Sequence, residues 1–468
     1  MFLDVIAPFL GGLFRKPANP AGNRTHFEML ERPAPEPDCG LASAHAPQPE
    51  GFVYREAVLG ADQRVAGHQF MLSEATRSRI CTRNRRIHHV YAEVLVRNVA
   101  RIDLARLLGH RKALLDVPDS FLGHTSIASL PPGNTVLVVT RLDDEGAPAA
   151  ADLLAAVRNL RESGYGVAVA CSDLLGALSF LQPEVDYATL AAEAPDPTRQ
   201  KNDVERLRQA GSEAMLIARG LPSQDDFQLC RSLGAELFQG PFITRREDWH
   251  GNKLGPNTAK IAELLARLRR DADTAELVAL LKQDGALLLR MMRYMNSAAI
   301  GMHGDLSSIE RAVMQLGRDR LYRWLLLLMY GADKASARSA AVLENALVRA
   351  RLMELLGEGR PATEHDALFL VGLLSLVDVA LEVPMTEAMA SIASAPEVEA
   401  AVLHGEGPLG NLLALVIGCE TGDPRTLDEL AERCDITPAI ANRRHLEAFA
   451  WALEVTAAPA ARHGEGRC

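Results

Sequence analysis

The chain has 468 residues, 48% hydrophobic and 24% charged, with 60 acidic against 50 basic side chains and a formal charge of −10. That length allows two or three domains, and the acidic balance supplies no broad cationic face for a nucleic-acid backbone, so direct nucleic-acid binding is not expected. Seven cysteines (39, 81, 171, 230, 419, 434 and 468) form no CxxC, which fits a reducing compartment with thiols used as small buried hydrophobes, and the histidines form no HExxH and read as ordinary surface or core residues.

The chain opens MFLDVIAPFLGGLFRK. Its apolar part lies ahead of the charges, lacks a basic leader and is too short to cross a bilayer. Docking of Phe2 to Phe14 on a membrane surface or a partner is the alternative to a frayed tail. From Pro17 to Gly51, stretches such as ERPAPEPDCG offer little to a core, so residues 1–50 read as a mobile, disordered leader. The other strongly apolar run, LYRWLLLLMY (Leu321 to Tyr330), is broken by Arg323 and suits a buried helix. The expectation is a cytoplasmic protein without a transmembrane segment.

Over residues 51–245, short apolar runs alternate with helical patterns. Strands are expected at 53–59, 90–96, 113–117, 135–140, 166–171, 185–190, 213–218 and 235–240, with helices clearest at 150–163 and 201–210. Such repetition predicts parallel strands joined by right-handed crossovers, and hence a (β/α) barrel, with an open α/β sheet as competitor. Residues 246–255 (REDWHGNKLG) read as a linker. From 256 to 456 apolar residues recur at helical spacing, which predicts an all-helical domain before a flexible tail at 457–468. The fold class is therefore α/β plus all-α.

Functional side chains of a barrel gather at the C-terminal ends of its strands. Metal-assisted phosphodiester hydrolysis there needs several hard oxygen ligands, yet the predicted strand ends carry few acids. Asp143 and Asp144 read as loop acids, and GVAVAC reaches Asp173 only after Cys171 and Ser172. Cys171 would need a nearby base, for which only His68 or His124 could approach through folding; a buried structural thiol is the stronger reading. In the helical part, His365-Asp366 opens an amphipathic helix and reads as surface or cap. Asn296-Ser297 after MMRYM either ends a helix or contacts a ligand or partner.

REAVLGADQRVAGHQFML (Arg55 to Leu72) resembles the first segment of the EAL family, barrel phosphodiesterases that hydrolyse cyclic di-GMP with divalent metals. By that resemblance Gln69 stands at a metal-binding glutamate and Asp116 of LLDVPDSFL at an asparagine. Val139 or Thr140 stands at a further acid, Ala170-Cys171 at an Asp pair, Thr189 and Ala191 at a lysine and an aspartate, and Arg219 at a base-like glutamate. Gln239-Gly240 keeps a Gln-Gly signature. At about 195 residues the region is shorter than a usual barrel of about 250, which suggests trimmed crossovers or an incomplete barrel.

The stretch Leu280 to Gly331 resembles an HDOD domain, a helical relative of the HD phosphohydrolases. In GLLSLVD (Gly372 to Asp378), Ser375 and Leu376 occupy the expected His-Asp pair. Together the resemblances imply a degenerate EAL-like barrel followed by an HDOD domain. The function they imply is a non-enzymatic bacterial signalling or scaffold protein acting through contacts with other signalling proteins, with no catalytic residue, metal or cofactor. Asn296 and Ser297 are its candidate partner contacts. The alternative is a metal-independent cyclic di-GMP sensor using Gln239, Arg219, Arg245 and Arg246; an active phosphodiesterase is third.

Overall fold

A computed structural model of the chain describes residues 53–72, 85–101, 103–191, 197–295, 309–333, 337–392, 394–421 and 424–456. The expected leader and tail, and the Asn296-Ser297 pair, lie outside the described residues.

Eight strands close into a barrel in sequence order: β1 (Val53–Gly60), β2 (Val65–Leu72), β3 (Lys112–Pro118), β4 (Thr135–Thr140), β5 (Gly166–Ala170), β6 (Tyr187–Ala191), β7 (Met215–Arg219) and β8 (Leu237–Gln239). The closed barrel replaces both the open sheet and the incomplete barrel. Not every strand is parallel, however: β1 runs antiparallel to both β2 and β8. The cause is local. Gly60 to Arg64 forms a tight reversal, with the Gly60 amide donating to the Arg64 carbonyl at 2.8 Å and Gln63 in the left-handed region, so β1 and β2 make a hairpin rather than a crossover unit.

The hairpin also corrects one predicted strand. Residues 90–96 belong to helix α1 (Arg85–Ala100). Its buried positions, Ala92, Leu95, Val96 and Val99, recur at intervals of three and four, while Val90 is 55% exposed. That is the spacing of a helix face, and it overrides the β-branched composition. The second strand is VAGHQFML instead. Crossovers follow as α2 (Ala150–Glu162), α3 (Pro197–Gln209) and α4 (Gln224–Ser232). A small cluster of Val58, Leu114, Val136, Val138, Ala168 and Ile217 fills the barrel interior, and this cluster fixes which face of each strand looks inward.

The helical part starts with α5 (Pro256–Arg269), whose first-turn amides at Asn257 and Thr258 donate to Asp333, each at 2.8 Å. It continues through α6 (Thr274–Lys282), α7 (Gly285–Met295), α8 (Ile309–Leu316) and α9 (Arg318–Met329). Next come α10 (Ala337–Leu356), α11 (Ala362–Leu374), α12 (Val377–Leu381) and α13 (Met385–Ile392). The last four are α14 (Pro396–His404), α15 (Gly407–Thr421), α16 (Pro424–Arg433) and α17 (Pro438–Thr456). The run Leu321 to Tyr330 is buried as expected, with Trp324 and Tyr330 almost fully enclosed; each such apolar side chain contributes about 1.5–3 kcal/mol. Gly372 lets α11 press onto α10, because a Cβ there would lie 2.5 Å from the Ala350 backbone. Among the described residues no single helix is long and apolar enough to cross a membrane.

The helices seat against the hairpin side of the barrel. Val53 N donates to Asn442 Oδ1 of α17 at 3.0 Å, and Phe449 of α17 packs edge-on against His68 and Phe70 at ring separations of 5.0 and 5.9 Å.

Candidate functional site at the barrel mouth

Side chains alternate along a strand, so positions two beyond an interior residue face the mouth. From Val58 that rule selects Glu56; from Leu114, Asp116; from Ile217, Arg219; and from Leu237, Gln239. Gln69 pairs in register with Glu56 on β1 and with Leu114 on β3, so it shares their face.

These five residues form one polar ring segment. Arg219 Nη2 donates to Asp116 Oδ2 at 2.9 Å and its Nε to Gln239 Oε1 at 3.1 Å. Gln239 Nε2 in turn donates to Glu56 Oε2 at 2.6 Å. Gly240 holds this end of β8 in place: its φ is +150°, and a Cβ would lie 2.3 Å from the Leu221 amide. The Leu221 amide donates to the Gln239 carbonyl at 3.0 Å, so the loop after β7 closes directly over β8.

Two atoms sets are left over. Gln69 is fully buried, yet neither its Oε1 nor its Nε2 has a hydrogen-bond partner among the described residues; the same is true of Asp116 Oδ1. Buried polar groups are nearly always satisfied, because stranding one costs about 1–3 kcal/mol. Here an amide and a carboxylate oxygen are left unmatched at the mouth.

The other strand ends complete the audit. Val139 packs into the outer core while Val138 faces the interior, so Thr140 is the mouth position of β4. Ala170 and Thr189 are the equivalents on β5 and β6. Cys171 turns away into the core, where burial pushes its thiol up to about 11 and its sulfur lies 3.8 Å from the Asp203 carbonyl. Neither histidine comes to it: His68 bonds Glu344, and His124 bonds Ser126. Burial raises the Asp173 carboxyl; Arg141 opposes the rise and Asp119 adds to it. Asp144 pairs with Arg85 at 2.7 Å rather than facing free solvent, and Asp143 pairs with Arg141 at 3.0 Å.

Of the four predicted ligand residues, the fold brings Arg219 and Gln239 together. Arg245 lies in the loop after β8 and donates to the Pro222 carbonyl at 2.8 Å. Arg246 leaves the barrel altogether, reaching Asp378 of α12 at 2.5 Å and the Ser375 carbonyl at 3.0 Å. Sequence reasoning missed Glu56. The signal was the turn at Gly60 to Arg64: once read as a hairpin, it sets Glu56 opposite Gln69.

A divalent metal does not fit the ring. Among the described residues no three His, Cys, Asp or Glu side chains converge as ligands, and the Arg219 guanidinium already neutralises Asp116 where a cation would have to sit.

In the helical domain, the segment expected to hold a His-Asp pair is filled internally. Arg349 chelates Glu420, with Nε at 3.0 and 2.9 Å from the two oxygens and Nη2 at 2.6 Å from Oε2, and its Nη1 donates to Ser375 Oγ at 3.1 Å. Ser375 Oγ donates to the Gly372 carbonyl at 2.7 Å. Asp366 pairs with Arg323, and His365 Nε2 lies 3.2 Å from the Arg360 carbonyl.

The architecture is a closed β/α barrel with a polar mouth, followed by an all-helical domain. Residues 256–402 are an HDOD domain, matching that family's model. Over 407 residues the chain is 22% identical to the cyclic di-GMP phosphodiesterase CdgJ of Vibrio cholerae, covering 86% of this chain and 93% of the relative. It is 20% identical over 409 residues to the uncharacterized protein YuxH of Bacillus subtilis, covering 86% and 97%. The barrel is similar to an EAL domain protein of Listeria monocytogenes (10% identity, TM-score 0.33, 42% of this chain and 88% of that one). It is also similar to the Bacillus subtilis YkuI protein, with an EAL domain, in complex with c-di-GMP and calcium (13% identity, TM-score 0.33, 50% and 71%).

The expectation that the chain is not an enzyme is corrected by the Vibrio relative, whose name is an enzymatic activity and whose match runs through both domains. The count of acids at predicted strand ends also left out one carboxylate, Glu56, which the antiparallel first strand brings to the mouth.

Proposed function

We propose that this chain is a signal-transduction protein that takes a cyclic dinucleotide, cyclic di-GMP, at the mouth of its barrel and passes the signal on through protein contacts of its HDOD domain. The observation that carries the reading is the buried Gln69 amide, without a protein partner among the described residues, beside the free Asp116 oxygen. Arg219 supplies a planar guanidinium matched to a phosphate or a guanine edge, while Glu56 and Asp116 are acceptors for the N–H groups of a purine. The relation to a relative named for cyclic di-GMP supports that choice of nucleotide.

Calorimetry on the full chain tests it. Cyclic di-GMP is expected to bind with low-micromolar affinity without added metal, and Gln69→Ala and Arg219→Ala are each expected to weaken binding at least ~10-fold, the scale of one or two lost polar contacts. No heat at high micromolar nucleotide, with or without Mg²⁺ or Mn²⁺, overturns the reading. Chromatography of the same samples reports whether nucleotide is cleaved.

A further inference from the structure

The hairpin that feeds the mouth is gripped from behind. On β1 and β2, Glu56 and Gln69 face the mouth, and the residues beside them, Arg55 and His68, face the opposite way. Both reach Glu344 of α10, a carboxylate only 2% exposed: His68 Nε2 lies 2.7 Å from Oε1, and Arg55 Nη1 lies 4.0 Å from it. Arg111, on the loop entering β3, donates to Oε2 of the same carboxylate at 2.7 Å, and Arg55 also stacks over the Phe449 ring of α17 at 4.2 Å. One HDOD side chain thus ties β1, β2 and the start of β3, the three strands that carry Glu56, Gln69 and Asp116.

We infer that Glu344 is a positioning residue for the barrel mouth, so that the seating of the HDOD domain and the occupancy of the mouth are energetically coupled through the β1–β2 hairpin. A strand is stiff along its length and its alternate side chains share one backbone, so a shift that improves a contact at Gln69 is transmitted to His68 on the other face. Glu344 is held charged in a site with little water. Its interaction therefore falls steeply with small displacements, which makes it a sensitive partner for such a shift. Coupling of this kind is reciprocal: whatever the domain does to ligand affinity, the ligand does to domain seating. The ligand half of the inference rests on the nucleotide reading above; the hairpin half does not.

Hydrogen exchange on the full chain, followed by mass spectrometry of peptides from 53–72, 337–356 and 438–456, separates the two. In Glu344→Gln, amides of 53–72 are expected to exchange ~10-fold faster than in the parent, and calorimetric affinity for cyclic di-GMP to fall ~10-fold although residue 344 does not touch the mouth. In the reverse direction, nucleotide added to the parent is expected to slow exchange in 337–356, and Glu344→Gln to abolish that response while retaining weakened binding. Should Glu344→Gln not fold, Arg111→Met weakens the same grip and Gln69→Leu perturbs the hairpin from the mouth side. The exposed pair Arg106–Glu454, 3.3 Å apart at the same seam, gives Arg106→Ala as a control that leaves 53–72 unchanged. If the parent binds no nucleotide, the nucleotide reading fails and the exchange of 53–72 in the variants still decides the hairpin half. Unchanged exchange of 53–72 in Glu344→Gln or Arg111→Met, or nucleotide binding that leaves 337–356 untouched, overturns the inference.

Discussion

The barrel mouth and the Ser375 region of the HDOD domain each place an arginine among acids and amides, yet their hydrogen-bond accounts differ. Around Ser375 every group named above is matched: Arg349 with Glu420 and Ser375, Asp378 with Arg246. At the mouth the Arg219 chain from Asp116 to Glu56 is matched, but Gln69 and one oxygen of Asp116 are not. A saturated polar cluster fixes packing, whereas leftover buried donors and acceptors cost stability, a cost that the proposed nucleotide would offset by pairing with them. Two sites of similar composition thus differ in how completely their polar groups are satisfied.

The largest effect expected from this contrast is in the helical domain. Arg349→Met leaves the Glu420 carboxylate without its chelating partner and is expected to lower unfolding free energy by about 3–5 kcal/mol in urea titrations. A loss below about 1 kcal/mol would make that cluster no more structural than the mouth.

Acid reveals the seam between the two regions. Burial pushes His68 down to about 4, against the pull of Glu344, and burial pushes His445 down to about 3, with Arg55 adding to the effect. Burial alone would raise the Glu344 carboxyl, but Arg111, His68 and Arg55 outweigh it and hold it well below the usual range. Both imidazoles are therefore neutral in the folded chain, and their stabilisation is complete above about pH 6.5, the unfolded value. It is lost as pH falls from there toward 4, because the unfolded state takes up protons first. The Glu344 contribution is complete above its ordinary carboxylate value and is lost progressively as pH falls below it, a window lower than that of the histidines. The expected loss between pH 6.5 and 4 is on the order of 3 kcal/mol per histidine, and His445→Phe is expected to flatten that slope in denaturation midpoints measured across the interval.

At the mouth the signs should oppose each other. Gln69→Leu removes two stranded polar atoms and is expected to stabilise the chain by about 1 kcal/mol while weakening nucleotide binding ~10-fold or more. A destabilised Gln69→Leu that binds normally would show that the amide is structural. Arg246→Ala acts through its partner. Arg246 is 55% exposed but Asp378 only 2%, so the substitution leaves a buried carboxylate unmatched and is expected to lower unfolding free energy by about 1–3 kcal/mol in thermal unfolding.

Much of this was legible in the residues themselves. The short apolar runs of β3 to β8 and the apolar spacing after residue 256 specify a barrel followed by helices because hydrophobic period is a local property, and Gln239-Gly240 marked a mouth residue because only glycine tolerates the approach of Leu221. Residues 90–96 misled because β-branched content and helical spacing conflict there, and spacing won. Glu56 was hidden because its role depends on which way β1 runs, and Arg246 because its partner lies 132 positions away on α12.

The order of elements and the residues able to be buried were thus set by the chain alone, since alternation and helical period need only neighbouring positions. Which polar groups meet was decided by closure of the barrel and docking of the helices. Only those events bring Asp116 to Arg219 and Glu344 to His68, and hydrogen bonds, unlike hydrophobic burial, depend on angles and distances that no local pattern specifies.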